Sequence, residues 1–349
     1  MHNQHSIYKK INKNISFTVI IPVYKNGDLL KQCLHAVEKA ISNTKYHTEV
    51  ITVDDCSPNN TEIKDIVLSF KYAYIELKEH AGPAKARNYG AKIAKNNILV
   101  FIDSDVLVDI NHFNVLGDFF EYQDKYIATI GLYNPNTKYL NFYSTFKNIQ
   151  HYYTHKTSKS DTSIFFTGCG AIYKKVFFEL KGFDTSYKDA LIEDVDLGCR
   201  LTQQGYKVFL NKKLLVTHLK TYSLSSLFIS DVFHRAIPLT VMLFKYKHVE
   251  NDQDIKLEAI FSTCLIVVSL FVFALLLPSN ITAILFIPTI LIGVGVLNIG
   301  FIRFISKQIG YVFAIKALFY LCFYYLYCGF GLVLGIILFL IKKITNEEY

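Results

Sequence analysis

Two aspartates, Asp103 and Asp105, flank a single serine directly after the apolar run Asn97–Ile102. Carboxylates at that spacing on a strand end can hold Mg²⁺ or Mn²⁺ through oxygen, and the ion can neutralise a diphosphate. The ordinary alternative is a turn in which Asp bonds its own backbone. A second acidic pair, Asp54-Asp55, closes the β-branched run Glu49–Asp54. With Tyr24 it could hold a nucleotide base, the ring stacking and the Asp55 carboxylate accepting a base N–H. A nicotinamide or flavin site would need a glycine-rich turn after the first strand. Pro22-Val23-Tyr24-Lys25-Asn26-Gly27 has one glycine and disfavours it. A third pair, Glu193-Asp194, precedes the helical pattern Val195–Gln204. A helix start favours an ionised carboxylate, and a capping acid is the common role there. A positioned base that deprotonates a hydroxyl is worth about 10²–10⁴-fold in rate.

The elements that must position these acids follow from the apolar pattern. Phe17–Pro22, Glu49–Asp54, Tyr74–Leu77 and Asn97–Ile102 read as strands. Between them, Leu29, Leu30, Cys33, Leu34, Val37 and Ile41 recur at helical spacing, and helices are expected over about 61–70 and 84–95. Strands alternating with helices predict an α/β fold, a mostly parallel sheet covered on both faces. Ligands bind at the carboxyl ends of such strands, so Tyr24, Asp54, Asp55, Asp103 and Asp105 are expected on one rim. Residues 165–170 read as a strand entering a tight turn, 174–180 as a short helix, and Gly205 as the cap that ends the helix over 195–204. The Tyr-, Asn- and Thr-rich stretch 134–163 gives no assignment.

Composition divides the chain. The 349 residues are 51% hydrophobic and mean hydropathy is +0.25, high for a soluble α/β domain. The excess sits at one end, in Ala259–Ile302 and Ala317–Ile341, both free of charged side chains. Ala259–Leu277 is long enough to cross a bilayer, Pro278-Ser279-Asn280 forms a turn, and Ile281–Ile302 is long enough to return. A third span over Ala317–Ile341 leaves Lys342-Lys343 against the positive-inside bias, whereas splitting about 308–341 into two restores it. Three and four spans both remain open. The segment from Tyr222 to about Lys247 is amphipathic and suits either a membrane surface or a soluble core. The expected partition is an N-terminal extension (1–16), a catalytic domain (17–224), an interfacial connector (225–258) and a transmembrane domain (259–349). The formal charge of +8 is dispersed, without a nucleic-acid arm; Lys245, Lys247, Lys256, Arg303, Lys307 and Lys316 border the apolar runs and suit anionic membrane lipids. Seven cysteines without CxxC spacing indicate neither zinc nor a disulfide framework. The start of the chain lacks a signal-peptide pattern, so a multi-pass protein of the cell (inner) membrane with a cytoplasmic catalytic domain is expected.

Four segments in order, Phe17–Tyr24, Val53-Asp54-Asp55-Cys56-Ser57, Ala84-Lys85-Ala86-Arg87-Asn88-Tyr89-Gly90 and Phe101-Ile102-Asp103-Ser104-Asp105, resemble family 2 glycosyltransferases of the GT-A, Rossmann-like fold. Gly168-Cys169-Gly170-Ala171 and Ile192–Leu197 resemble that family's acceptor-side strand and acidic motif, so the likeness covers roughly 16–220. It implies an inverting, metal-dependent transfer of a sugar from a nucleotide donor, a UDP-sugar favoured, to a lipid-linked or glycan acceptor at the membrane, in envelope polysaccharide or glycolipid synthesis. By position it implies nucleotide-sugar contacts from Pro22, Tyr24, Asp54, Asp55, Arg87 and Asp103. Asp105, with Asp103 and His218, would hold Mg²⁺ or Mn²⁺. Asp194 would be the general base, with Gly168, Glu193, Lys220 and Arg235 on the acceptor side. Cys56 stands where the family usually has glycine. Arg235 lacks the tryptophan of the processive synthases' Gln-x-x-Arg-Trp motif, which argues against a processive polymerase. A transporter or regulatory membrane protein with a nucleotide-binding cytoplasmic domain is the competing class. It predicts charged or broken spans along a pathway.

Overall fold

A computed structural model describes residues 14–136, 141–187, 191–246, 257–276 and 286–345. It resolves into two units, residues 1–138 with 155–221, and residues 139–154 with 222–349. The expected extension 1–16, the turn 278–280, Lys247 and Lys256 lie wholly or largely outside the described residues.

The first unit is built on one mixed sheet of nine strands among the described residues. β1 (Ser16–Val23), β2 (His47–Asp54), β3 (Ala73–Glu76) and β4 (Ile98–Phe101) form in the expected runs. They pair in parallel in the order β3-β2-β1-β4. β1 is buried along nearly its whole length, which is why it reads as continuous apolar sequence rather than alternation. Helices α1 (Gly27–Ser42), α2 (Asn60–Ser69) and α3 (Pro83–Ile93) connect these strands. Proline opens α3, where its fixed φ and missing N–H cost nothing. Gly90 lets α3 approach the sheet, since a Cβ there would lie 2.6 Å from Ile20 Cγ2.

Beyond β4 the sheet is mixed. β5 (Val106–Val108) and β6 (Ala128–Tyr133) flank α4 (His112–Tyr122), and β7 is the short Asp161–Thr162. β8 (Gly170–Tyr173) runs antiparallel between β4 and β6, and β9 (Val208–His218) runs parallel to β6 and antiparallel to β5. Of the strand entering a tight turn expected over 165–170, the turn forms and the strand before it does not. Thr167–Cys169 is a 3₁₀ turn and the strand begins at Gly170. Phe165 and Phe166 are apolar because Phe165 packs on Phe101 and Phe183, and Phe166 on Tyr133. The unassigned stretch contains α5 (Phe142–Thr157). After α6 (Lys174–Glu179), α7 (Glu193–Gln203) ends with Gly205 at φ 79°, as expected.

The second unit is helical. α8 (Leu224–Asp231), a π-helical turn at Val232–Ala236 and α9 (Ile237–Tyr246) form a segment, 224–246, of 23 residues. The sequence leaves it between a membrane surface and a soluble core; with Tyr311–Thr345 it is one of two helices, among the described residues, long and apolar enough to cross a membrane. α10 (Leu257–Leu276) covers the first expected span. The second is broken: Pro288–Leu297 of α11 (Phe286–Leu297) and α12 (Ile299–Gln308) meet at 79°. α13 (Tyr311–Thr345) is a single helix of 35 residues, about 52 Å long, so the division of about 308–341 into two spans does not occur. Gly331 and Gly335, four residues apart on α13, let it pack closely; an added Cβ would lie 2.7 Å from Ala236 Cβ and 2.6 Å from Thr240 Cβ. Buried polar groups pair with one another. Lys147 reaches Asp231 at 2.5 Å and the Tyr327 hydroxyl donates to the same carboxylate at 2.9 Å.

Cys56 adopts φ 61° at the turn after β2. The left-handed conformation that a glycine would supply is therefore kept by a residue with a Cβ, at a cost of about 1 kcal/mol. Cys56→Gly is expected to stabilise the protein by a few tenths to about 1 kcal/mol, the strain relief being partly offset by greater unfolded-chain entropy. Denaturant unfolding in detergent measures it, and a destabilised variant would show that the turn is not strained.

Candidate active site

The site grows from the carboxyl ends of β1, β2 and β4, which the parallel pairing brings to one edge. Pro22, buried beside Val53, lies past the last β1–β4 pair, Ile20 with Phe101, so its missing N–H costs the sheet nothing there. Asp55 N–H donates to Val23 O at 2.9 Å, and the Ser57 hydroxyl accepts from Lys25 N–H at 2.9 Å. The turns after β1 and β2 are thus one structure. Asp54 is fully buried; its Oδ1 accepts from Ser57 N–H at 3.0 Å and its Oδ2 from the Tyr74 hydroxyl at 2.8 Å. It holds the turn that presents Asp55.

Asp55 is 3% exposed and accepts from Ala81 N–H at 2.9 Å and Gly82 N–H at 2.8 Å. Gly82, at φ 87°, supplies the left-handed backbone this approach needs. The Nδ1 of His80 lies 2.8 Å from Asp55 Oδ2, and its ring stacks on Tyr24 with centroids 4.1 Å apart at 20°.

Arg87, on α3, is 3% exposed and joins two carboxylates: Asp103 Oδ1 at 2.6 Å and Glu193 Oε1 at 2.7 Å. Burial works against its charge, but Asp103 and Glu193 overcome that and hold it firmly cationic. Glu193 also accepts Leu191 N–H through Oε2 at 3.0 Å. One guanidinium therefore fixes the aspartate after β4 to the start of α7.

Asp105 precedes β5, whose first residue Val106 pairs with His218 at the end of β9. That register puts Asp105 Oδ2 3.3 Å from His218 Nε2, while the imidazole stacks on Tyr133 at 4.7 Å and 5°. Burial opposes ionisation of Asp105, but His218 and then Lys220 outweigh it and lower its pKa. Carboxylate oxygen and imidazole nitrogen are suitable donors for Mn²⁺ or Mg²⁺. Their 3.3 Å separation is close to the roughly 3.0 Å between adjacent ligands of an octahedral ion bound at about 2.1 Å. Asp103 has one oxygen engaged by Arg87, and no three His, Cys, Asp or Glu side chains among the described residues are grouped to hold a metal. Asp105 and His218 are chemically suited to two positions on a divalent ion, which would need further ligands from outside this pair.

Asp194 is partly exposed at the start of α7. Its Oδ2 lies 3.3 Å from Thr167 N and 3.4 Å from the Thr167 hydroxyl, and its Oδ1 accepts from Val195 N–H at 2.8 Å. The helix start was expected to favour the ionised form. Instead desolvation and then the neighbouring Glu193 push its pKa up to about 7, against Arg87 and the backbone donors. A carboxyl that titrates near neutrality is suited to proton transfer. Gly168 lies in the 3₁₀ turn that faces it, where a Cβ would meet the Phe166 ring at 2.8 Å. Lys220 is exposed just past β9. Arg235 belongs to the second unit, in the π-helical turn. Sequence reasoning missed His80, Tyr133 and Thr167. For His80 a weak signal exists, a polar aromatic two residues before a Gly-Pro break; Tyr133 acts through a contact across the sheet and Thr167 through one between a 3₁₀ turn and the start of α7.

The sequence model of glycosyl transferase family 2 matches residues 18–180. The chain carries a family 2 glycosyltransferase domain. Asp55, Arg87, Asp103 and Asp105 lie inside the matched span, whereas Glu193, Asp194 and His218 lie beyond it. This glycosyltransferase domain is 30% identical over 129 residues to Glycosyltransferase GlyG of Streptococcus pneumoniae serotype 4, covering 36% of this chain and 42% of that one. It is 32% identical over 109 residues to poly(ribitol-phosphate) beta-N-acetylglucosaminyltransferase TarP of Staphylococcus aureus, covering 30% and 32%. The chain thus spans 32–42% of the length of these relatives. Mannosyltransferase PcManGT from Pyrobaculum calidifontis, solved with GDP-Man and Mn²⁺, superposes with a TM-score of 0.60 at 16% identity, over 90% of this chain and 92% of that one. At that identity the likeness establishes the GT-A fold.

Arg87→Met should cost about 3–5 kcal/mol, because it leaves two carboxylates facing each other without their cation. Glu193→Gln should cost less, since an amide can still accept from Arg87. Urea unfolding of the two variants checks the order, and equal losses would contradict the bridge described here.

Proposed function

We propose that the chain is an inverting, metal-dependent glycosyltransferase that moves a sugar from a nucleoside-diphosphate donor to an acceptor held at the membrane. The observation that carries this reading is the convergence of Asp55, Arg87, Asp103, Asp105 and Glu193-Asp194 at one edge of a family 2 domain. The base stacks on Tyr24 and donates an N–H to Asp55; a UDP-sugar suits that edge. Arg87 meets the ribose and diphosphate side together with Asp103. Asp105 and His218 would hold a Mg²⁺ or Mn²⁺ ion, which supplies positive charge to the departing diphosphate.

Asp194 takes the proton of the acceptor hydroxyl as that oxygen bonds to the anomeric carbon, while the carbon–phosphate-oxygen bond breaks and the nucleoside diphosphate leaves with the electron pair. Attack from the face opposite the leaving group inverts the anomeric centre. Thr167 keeps the carboxylate oriented for this transfer. Relatives whose names specify poly(ribitol-phosphate) or teichoic acid support an envelope glycan or lipid-linked acceptor, and the two long apolar helices support placement of that acceptor at a cytoplasmic membrane face.

Incubation with native membrane lipids and radiolabelled nucleotide sugars, with and without Mn²⁺, tests the activity. No label transfer from any donor with the metal supplied would refute it. Asp194→Asn should lower transfer by about 10²–10⁴-fold while nucleotide binding is kept; unchanged turnover removes Asp194 as the base. The base must be ionised, so wild-type turnover should fall as pH drops below about 7, and a flat profile between pH 5 and 8 contradicts the role. Asp105→Ala should abolish the Mn²⁺ dependence of UDP binding in calorimetry.

A further inference from the structure

His80 has no part in the transfer, yet it holds the most specific position in the donor site. Its ring lies against Tyr24, 4.1 Å between centroids at 20°. Its Nδ1 is 2.8 Å from Asp55 Oδ2, and because an ionised carboxylate can only accept, that nitrogen carries the proton. A planar ring that stacks on Tyr24 and gives an N–H to Asp55 is also the description of a nucleobase in the proposed donor site. Two rings cannot occupy that place together.

We propose that His80 is an internal competitor for the nucleobase, which must displace the imidazole from both Tyr24 and Asp55 when it binds. The inference rests on the base site proposed above and adds the residue that sets its affinity, selectivity between bases staying with Asp55.

Three features make the exchange feasible. The His80 side chain is 48% exposed, so it can leave toward solvent without unpacking the core. Asp55 keeps its bonds from Ala81 and Gly82 N–H when the imidazole goes, so the buried carboxylate is not stranded. The loop is pinned at both sides of His80: Leu77 N–H donates to Asp54 O at 2.8 Å, and Gly82 N–H is held by Asp55 at 2.8 Å. Only the short stretch Lys78–His80 needs to move. Selectivity follows from chemistry. A base that presents a ring N–H, as uracil and guanine do, replaces the donor that His80 withdraws. Cytosine presents no ring N–H and leaves Asp55 with a donor fewer.

The test is titration of the full-length protein in detergent with UDP and CDP in the presence of Mn²⁺. Loss of one stacked ring and one half-exposed bond to Asp55 should free the site enough for His80→Ala to bind UDP about tenfold tighter. His80→Phe, which keeps the stack, and His80→Asn, which keeps a donor, should each show a smaller gain. The preference for UDP over CDP should narrow in neither variant. A residue needed only for loop shape would loosen binding when removed, so unchanged or weaker UDP binding by His80→Ala overturns the proposal. Tyr24→Ala introduced into the His80→Ala protein separates the two readings: it should weaken UDP several-fold. If it does not, the base lies elsewhere and the site assignment itself fails; if it does while His80→Ala binds no tighter than wild type, only the competition fails.

Discussion

The buried contact of Arg87 with Asp103 and Glu193 is the constraint on which the rest of the first unit depends. A guanidinium is the only side chain that can bridge two carboxylates with separate, directed N–H groups and stay charged in a nearly dry site. Three elements far apart in sequence, α3, the turn after β4 and α7, are registered by it. The cation also lets Asp103, Glu193 and Asp194 crowd one edge, where Coulomb repulsion would otherwise spread them. Asp194 shows what remains after that compensation: its neighbour Glu193 spends its charge on Arg87, and Asp194 itself is left partly desolvated with a raised pKa.

The sheet supplies the second ingredient, a common edge. Parallel β2, β1 and β4 end together because their crossovers all return in the same direction, and the antiparallel β5–β9 pair then adds His218 from the other half of the sheet. The donor-side and acid-side groups are thus brought together by strand register rather than by loop length. Two of the turns that present them carry left-handed backbone, at Lys25 and Cys56, as do the ends of α2 and α6, at Lys71 and Lys181.

Much of this was legible in the residues. β1 and β4, and β2 from Val50 onward, are buried on both faces, so they read as mostly apolar runs and appear within about two residues of where those runs place them. The acids stand at their ends for the same reason. What escaped was tertiary. α5 hides because its buried positions mix Phe146 and Ile149 with Ser144, Asn148 and His155, which dilutes the periodic signal. Phe165 and Phe166 suggested a strand, since burial against other rings and burial in a ladder look alike in sequence. The partnership of Arg87 with Glu193 joins residues 106 positions apart, and no local pattern reports it. The proton affinity of Asp194 was misjudged because a helix end was weighed without the desolvation that accompanies it.

In the helical unit, the break between α11 and α12 falls at Asn298, whose side-chain amide donates to Ser262 Oγ at 3.0 Å and to Val294 O at 2.9 Å, and accepts from the Tyr325 hydroxyl at 2.6 Å. A bend of this kind frees backbone groups that hydrocarbon cannot solvate. Here the asparagine side chain uses both its donor and its acceptor capacity, tying α10, the end of α11 and α13 together at the corner. The break is thus a three-helix junction held by one polar side chain rather than a loose hinge.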